Sequence, residues 1–295
     1  MGSSGYLHTA IYRLKKITYK SYCKVNIGLQ IHGQRSDGYN TIHTVFQELE
    51  FHDTIKIEKS DKICEFSCNV DWLRNDKSNL CVKAWQAIVD QFEIGGISIN
   101  LKKRIPPGSG LGGGSSNAAA VLKGVSELYE LELTNDKIQS IAVALGADVP
   151  FFIKGGTQVG DGIGEILNEL SKPIRGYYLL VIPPIQLDTA WAYSESKKSL
   201  DAFSKKPNFA RLFREEVVPL EFFENDFESI VIPAYPEIGK IKETILAYGA
   251  CYASLSGSGS TVFGIFDDKA KAKIAESILA TDFETIISYP TNSLL

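Results

Sequence analysis

Between residues 106 and 117 the chain reads Pro106-Pro107-Gly108-Ser109-Gly110-Leu111-Gly112-Gly113-Gly114-Ser115-Ser116-Asn117, five glycines and three serines in one run. The residues that follow have helical spacing, with Ala118, Val121, Leu122, Val125 and Leu128 on one stripe. Small residues let backbone N–H groups come close to a ligand, and a helix N-terminus adds unsatisfied donors and a partial positive charge. Such a loop is expected to hold a phosphate chain. Glycine on the helix side, and hydroxyls at Ser115 and Ser116 within reach of a phosphate or its metal, are more than a plain connection requires. A β-branched residue at Gly112 or Gly113 is expected to fill the space the phosphates need.

Two common phosphate loops do not fit. Gly108-x-Gly110-x-x-Gly113 has the dinucleotide spacing, but a second helix, capped at Thr134, follows where a βαβ unit needs a strand ending in an acidic residue. A Walker A loop would end in Gly-Lys-Ser/Thr, and this run does not.

The chain has 295 residues, 44% hydrophobic and 22% charged, enough for two domains or one two-lobed unit of ordinary globular composition. With 31 Lys+Arg against 35 Asp+Glu the net charge is -4, so there is no global basic field for nucleic acid or an anionic membrane. No apolar run approaches the ~20 residues a membrane helix needs. Residues 177–182 come nearest and are stopped by Pro183-Pro184. Residues 1–21 lack the apolar core of a secretory signal. Cys23, Cys64, Cys68, Cys81 and Cys251 are scattered, and one Cys64-x-x-x-Cys68 pair is not a zinc framework. Reduced thiols, and a cytoplasmic protein, are expected.

Hydrophobic spacing gives an α+β chain. Residues 22–32 alternate as in a half-buried strand, Val25, Ile27, Leu29 and Ile31 on one face and Lys24, Asn26, Gly28 and Gln30 on the other. Antiparallel strands are expected over 45–51 and 55–57 around a His52-Asp53 corner, then a helix over 80–92 and a strand over 97–101. After the loop come its helix, a helix from Thr134 to Gly146, and short strands with glycine turns as far as Gly164. Ser171-Lys172-Pro173 marks the expected boundary between lobes 1–170 and 171–295. Beyond it the pattern predicts a strand over 177–182, a helix from Thr189 and a charged helical segment over 211–216. Helix, strand, helix and strand follow at 236–248, 260–266, 269–279 and 285–289.

Taken with its flanks, the loop resembles the phosphate loop of the GHMP small-molecule kinases. The similarity runs from about Cys23 to Phe266, through Lys24-Val25-Asn26, Arg35-Ser36-Asp37-Gly38-Tyr39, Asp53-Thr54, Asn79-Leu80 and the loop. It continues through Gly146-Ala147-Asp148-Val149-Pro150-Phe151-Phe152, Gly162-Ile163-Gly164-Glu165 and Ser256-Gly257-Ser258-Gly259. The resemblance implies a two-lobed α+β fold, its N-terminal lobe like domain 2 of ribosomal protein S5 and its C-terminal lobe ferredoxin-like. It implies transfer of the ATP γ-phosphate, with Mg2+, to a small-molecule alcohol. The branch sharing these motifs acts on the 2-hydroxyl of a cytidine-diphosphate-linked methylerythritol in non-mevalonate isoprenoid synthesis. A kinase of another small alcohol, of mevalonate or homoserine type, and a non-catalytic ligand-binding homologue are the alternatives. The sequence specifies neither the metal ligands nor the oligomeric state.

A hydroxyl nucleophile needs a proton acceptor, and phosphoryl transfer is otherwise mostly positioning. Asp148 is the natural base, because it follows Gly146 at a helix exit in an apolar Val-Pro-Phe-Phe setting, where a carboxylate needs a cation beside it. In the family Lys24 supplies that cation. The resemblance assigns residues 106–116 to the ATP phosphates, Asn79 and Lys103 to the adenine pocket, and Ser256-Gly257-Ser258-Gly259 to the phosphates from the C-terminal lobe. It assigns Asn26, Tyr39, Ile163, Thr189 and Tyr193 to the acceptor, with Tyr39 as the aromatic that stacks on cytosine. The chain departs at Asn40, where the family has histidine. An asparagine amide carries a donor and an acceptor and can still read cytosine's edge; His43 is the other candidate. Ser109, Cys23, Ser260 and the extension before Lys24 are minor departures.

Overall fold

In the computed structural model, residues 15–196, 208–213 and 218–291 are described. The chain opens with two long strands, β1 Lys16–Gln34 and β2 Asn40–Ser60, joined by the Arg35-Ser36-Asp37-Gly38-Tyr39 turn, in which Arg35 N–H donates to Tyr39 O at 2.7 Å. Then come β3 Cys64–Cys68, α1 Leu80–Val89, β4 Gly96–Lys102, α2 Gly113–Leu128, α3 Asn135–Leu145, α4 Val149–Lys154, β5 Thr157–Asp161 and β6 Ile166–Glu169. These six strands make one sheet, ordered β3-β4-β2-β5-β6 with β1 along the other edge of β2. The rest of the described chain is β7 Tyr177–Ile182, α5 Thr189–Ser196, α6 Phe209–Leu212, α7 Glu228–Ala234, α8 Pro236–Ala247, β8 Tyr252–Leu255, β9 Val262–Phe266, α9 Lys269–Leu279 and β10 Glu284–Ser288. Its four strands run antiparallel in the order β10-β7-β9-β8, the ferredoxin-like order that the resemblance implies.

Alternation along the strands explains how the sheets stack. Tyr178, Leu180 and Ile182 of β7 join Val25, Ile27 and Val45 in a core between the sheets. Leu179 and Val181 turn to the other side, against Ile238, Ile241 and Ile245 of α8 and Ala272, Ala275 and Leu279 of α9. The far face of the first sheet is covered by α1 to α4 through Ile55, Ile57, Ile97, Ile99 and Leu101. With helices on both outer faces, β1 is buried on both sides over residues 23–31 rather than half-buried, because its polar face looks into the molecule and not into solvent.

Four strand expectations change for identifiable reasons, the first being that Val149–Lys154, expected as short strand and turn, is the helix α4 with Pro150 in its first turn. Gly28, at φ 70°, is the extra residue of a bulge between Ile27 and Leu29, and a one-residue slip reverses the faces. Leu29 and Ile31 therefore leave the face of Val25 and Ile27 and join the one carrying Lys24 and Asn26. The expected His52-Asp53 corner is absent: β2 is continuous and changes partner there, from β5 at residues 44–47 to β4 at 54–60. β3, unforeseen, pairs in parallel with β4. The first helix stops at Val89 rather than residue 92. Only the start of the expected 211–216 helix is seen, in α6; its continuation from 214 lies outside the described residues. Cys23, Cys64, Cys68, Cys81 and Cys251 are unpaired. Among the described residues no helix is long and apolar enough to cross a membrane, and no group of three His, Cys, Asp or Glu side chains is placed to hold a metal ion.

Candidate active site

The bulge at Gly28 and the start of α2 together frame a cavity of about 700 Å3. One end is walled by Trp72, Arg74, Asn79, Lys103 and Pro107, and the other by Ile42, Ile163, Thr189, Tyr193 and Phe227; the glycine loop and Asp148 lie between.

Lys24 is almost wholly buried on β1, and its ammonium is held by three acceptors. Nζ donates to Asn26 Oδ1 at 2.7 Å and to Gly110 O at 2.9 Å, and stands 3.5 Å from Asp148 Oδ2. Asn26 is oriented in turn: its Nδ2 donates to Thr44 Oγ1 at 3.0 Å, and that hydroxyl donates to Gly28 O at 2.6 Å. Asp148 caps α4 by position without a side-chain capping bond, and its side chain is one-third exposed. Its carboxylate therefore faces the cavity with Lys24 as its ionic partner. Burial, reinforced by the Asp148 charge, pushes the Tyr193 phenol up to about 12, so this wall presents a neutral hydroxyl.

The loop itself is shaped by contact. Gly110 and Gly112 have φ of 78° and 70°, left-handed values that disfavour a side chain. A Cβ at Gly110 would strike Ser256 O, and one at Gly112 would lie 2.9 Å from Phe152 Cζ and 3.1 Å from Lys24 Cε. The second small-residue turn thus packs on the first: Ser256 Oγ donates to Gly110 O at 2.9 Å, and Gly257, Ser258 and Gly259 line the cavity. Thr189 and Ser258 hydroxyls meet at 3.0 Å across it.

Most of the expected residues come together here. Lys24, Asn26, Asn79, Lys103, Pro106, Pro107, Gly108, Ser109, Gly110, Gly112, Gly113, Gly114, Ser115, Asp148, Ile163, Thr189 and Tyr193 all line the cavity. Four do not. α2 starts at Gly113, earlier than the end of the glycine run, so Ser116 already lies in its first turn and turns inward, accepting from Ser21 Oγ at 2.8 Å. Leu111 is fully buried in the core between the sheets and contributes its carbonyl to Lys24 N–H. Tyr39, 60% exposed, and Asn40 lie at the β1–β2 turn outside the cavity wall, and Asn40 Oδ1 is buried without a partner. His43 faces the other way: Nδ1 donates to Asp161 at 2.6 Å, Nε2 accepts from Phe209 N–H at 3.0 Å, and the ring stacks on Phe209. Both nitrogens are spent, so the histidine alternative to Asn40 does not hold. Sequence reasoning missed Leu29, Ile42, Trp72, Arg74 and Phe227; the signal for Leu29 and Ile42 was Gly28, the bulge that turns Leu29 inward.

A glycine-rich loop at a helix N-terminus, facing a lysine–carboxylate pair between two lobes, defines a small-molecule kinase of the GHMP class. Residues 79–156 match the family described as GHMP kinases N terminal domain, and residues 207–285 that described as GHMP kinases C terminal. The 4-diphosphocytidyl-2-C-methyl-D-erythritol kinase of Chlorobaculum parvum is 38% identical over 93% of this chain and 98% of its own, and that of Chlorobium limicola 39% identical over 95% and 99%. A crystal structure of 4-(cytidine 5'-diphospho)-2C-methyl-D-erythritol kinase superposes with a TM-score of 0.75 at 28% identity, covering 92% of this chain and 98% of that one. The mevalonate kinase of L. major, at 18% identity and a TM-score of 0.69, covering 95% of this chain and 98% of its own, shares the fold. The chain belongs to the GHMP kinase family, among the 4-diphosphocytidyl-2-C-methyl-D-erythritol kinases.

Proposed function

We propose that this chain transfers the γ-phosphoryl group of ATP to the 2-hydroxyl of 4-diphosphocytidyl-2-C-methyl-D-erythritol. The observation that carries the proposal is that the Lys24–Asp148 pair lines the same continuous cavity as the glycine loop and Ile163, Thr189 and Tyr193. The acceptor's 2-hydroxyl oxygen attacks the γ-phosphorus and gives its proton to an Asp148 oxygen, while the bond to the β-phosphate oxygen breaks and ADP leaves. Lys24, fixed before substrate arrives, places positive charge beside the base and the transferring group. Residues 106–116 and the 256–259 turn hold the phosphates, and Asn79 and the stem of Lys103 wall the nucleotide end. Asn26, Ile163, Thr189 and Tyr193 position the acceptor, with Tyr39 and Asn40 meeting its cytosine at the rim; Asn40 Oδ1, buried without a partner, would turn outward to accept from the cytosine amine.

Mg2+ suits this site. That ion binds through one or two side-chain oxygens plus substrate phosphates, and Ser115 and Asp148 are among the oxygen side chains that line the cavity and would hold it. When bound it neutralises phosphate charge. The lobes 1–170 and 171–295, and a cytoplasmic site of action, form part of the same proposal. A screen of acceptors with ATP tests it: phosphorylation of the cytidyl-linked substrate is expected, with little on its uridyl analogue, mevalonate or homoserine. Comparable turnover of mevalonate or homoserine would overturn the assignment of substrate.

A further inference from the structure

Asp53 belongs to a motif of the sequence, yet no step of the transfer uses it. Its carboxylate is fully buried in β2. Oδ1 accepts from the backbone N–H groups of Arg104 and Ile105 at 2.6 and 2.8 Å, the two residues before Pro106. Oδ2 accepts from Lys103 Nζ at 2.5 Å and from Asn117 Nδ2 at 2.9 Å, and Asn117 lies just after the loop in α2. One carboxylate thus holds the entry and the exit of the glycine loop, with its lone-pair sites filled.

The partners are spent inward as well. Lys103 Nζ also donates to Asn117 Oδ1 at 3.3 Å, and Asn117 Nδ2 donates to Ser21 Oγ at 2.8 Å. A Cβ on Gly113 would come 2.8 Å from both Lys103 Nζ and Ile105 Cγ2, so the first residue of α2 rests directly on this network. Two of the three ammonium donors of Lys103 are therefore occupied beneath the loop.

We propose that Asp53 and Lys103 form a charge-paired strut that fixes both ends of the phosphate loop. Asp53 is then a positioning residue for the donor nucleotide, and the Lys103 ammonium serves the strut rather than the nucleotide. This rests on the reading of residues 106–116 as the ATP phosphate site. A loop ordered in advance does not lose that freedom on binding, which favours affinity without a new contact. Freed from Asp53, the amides of Arg104 and Ile105, the second of them buried, would seek other partners and carry the loop with them.

The test is ADP affinity by calorimetry together with the KM of the acceptor. Asp53→Asn keeps an oxygen for the two amides but sets an N–H against Lys103 and strands its charge. The ADP Kd is expected to rise at least about tenfold while the acceptor KM changes less than about twofold. Adding Lys103→Met removes the stranded charge and lets Asn117 turn its amide to accept from position 53. The double variant is expected to recover at least half of the loss on a logarithmic scale, and to bind ADP more tightly than Lys103→Met alone. The proposal is overturned if Asp53→Asn folds and binds ADP normally, or if the double variant binds ADP no better than the single variant that folds. Hydrogen exchange on the unmodified, nucleotide-free enzyme decides independently of any variant: the Arg104 and Ile105 amides must exchange as slowly as those of β4, and exchange at the rate of an open loop overturns the strut. An unmodified enzyme that bound no ADP would sink the kinase reading instead.

Discussion

Lys24 has little freedom to rearrange: Asn26 and Gly110 take two of its N–H groups, Asp148 pairs with its charge at 3.5 Å, and Asn26 is itself locked by Thr44. An ammonium and a carboxylate held this way, in the roles of cation and base proposed above, are expected to act as a unit. Asp148→Asn is expected to leave ADP affinity within a few-fold of normal and to lower kcat by at least ~10²-fold, the lower end of general-base effects. Lys24→Ala is expected to lower kcat as well, and the double variant to be little worse than the poorer single one, since both changes disable one proton transfer. Steady-state kinetics on the three proteins checks this, and strict additivity would separate the two residues. At the rim, Asn40→Ala is expected to raise the acceptor KM far more than that of ATP, as for loss of hydrogen bonds of ~1–3 kcal/mol. Tyr39→Ala is expected to strike the same constant by removing the stacking face. An unchanged acceptor KM in both would move cytosine recognition away from this turn.

The glycine loop shows how far an element can be foreseen from its residues. Its existence, and the helix after it, follow from composition and spacing, but the aim of each Cα does not. The sequence expectation that a side chain at Gly112 or Gly113 crowds the phosphates points the wrong way. A Cβ there drives into Phe152 and Lys24, or into Ile105 and Lys103. Gly112→Val is therefore expected to cut kcat at least about tenfold by displacing Lys24, besides raising the ATP KM through the strain of a β-branched residue at positive φ. A variant with an altered ATP KM and normal kcat would restore the simpler picture. The same limit governs the strands. Lys24 and Asn26 share a face because alternation holds between them, whereas Leu29 and Ile31 change faces because Gly28 adds a residue that no hydrophobic pattern marks. β3 escaped notice although Cys64, Phe66 and Cys68 alternate with Glu65 and Ser67, because five half-buried residues at the edge of the sheet are too short a pattern to stand out. Placement at the cavity was legible where one motif set both identity and position, as in Gly146-Ala147-Asp148, and illegible where Ser116 turned inward on a helix that began early.

At the scale of the whole molecule, the lobes are tied together at the place where β2 changes partner. Residues 48–51 pair with neither β4 nor β5, and the end of β10 with the chain just after it comes back to fill the gap. Phe51 N–H donates to Ser288 Oγ at 2.9 Å, Glu50 N–H to Tyr289 O at 2.8 Å, and Thr291 N–H to Glu48 O at 3.1 Å. Glu48 completes the tie: its Oε2 accepts from Thr291 Oγ1 at 2.8 Å and from Gly156 N–H at 3.2 Å, just beyond the end of α4, whose first cap is Asp148. Burial pushes the Glu48 carboxyl up, against the opposing pull of those two hydrogen bonds and of Lys123. Burial likewise pulls the Lys123 ammonium down, against the Glu48 charge. A carboxyl whose folded pKa is raised stabilises the fold fully only below its unfolded value, and that contribution is lost as pH rises through the folded pKa. The unmodified enzyme is therefore expected to lose stability relative to Glu48→Gln, which keeps an acceptor oxygen but cannot ionise, as pH climbs from the usual carboxyl value near 4.5. The loss is at most about 1.4 kcal/mol per pH unit and levels off once Glu48 is ionised in the folded state. Thermal or urea unfolding of both proteins across that range measures it. A difference that instead grows in favour of the unmodified enzyme as pH rises would mean that Thr291, Gly156 and Lys123 outweigh burial, and that the tie between the lobes is made by a charged carboxylate.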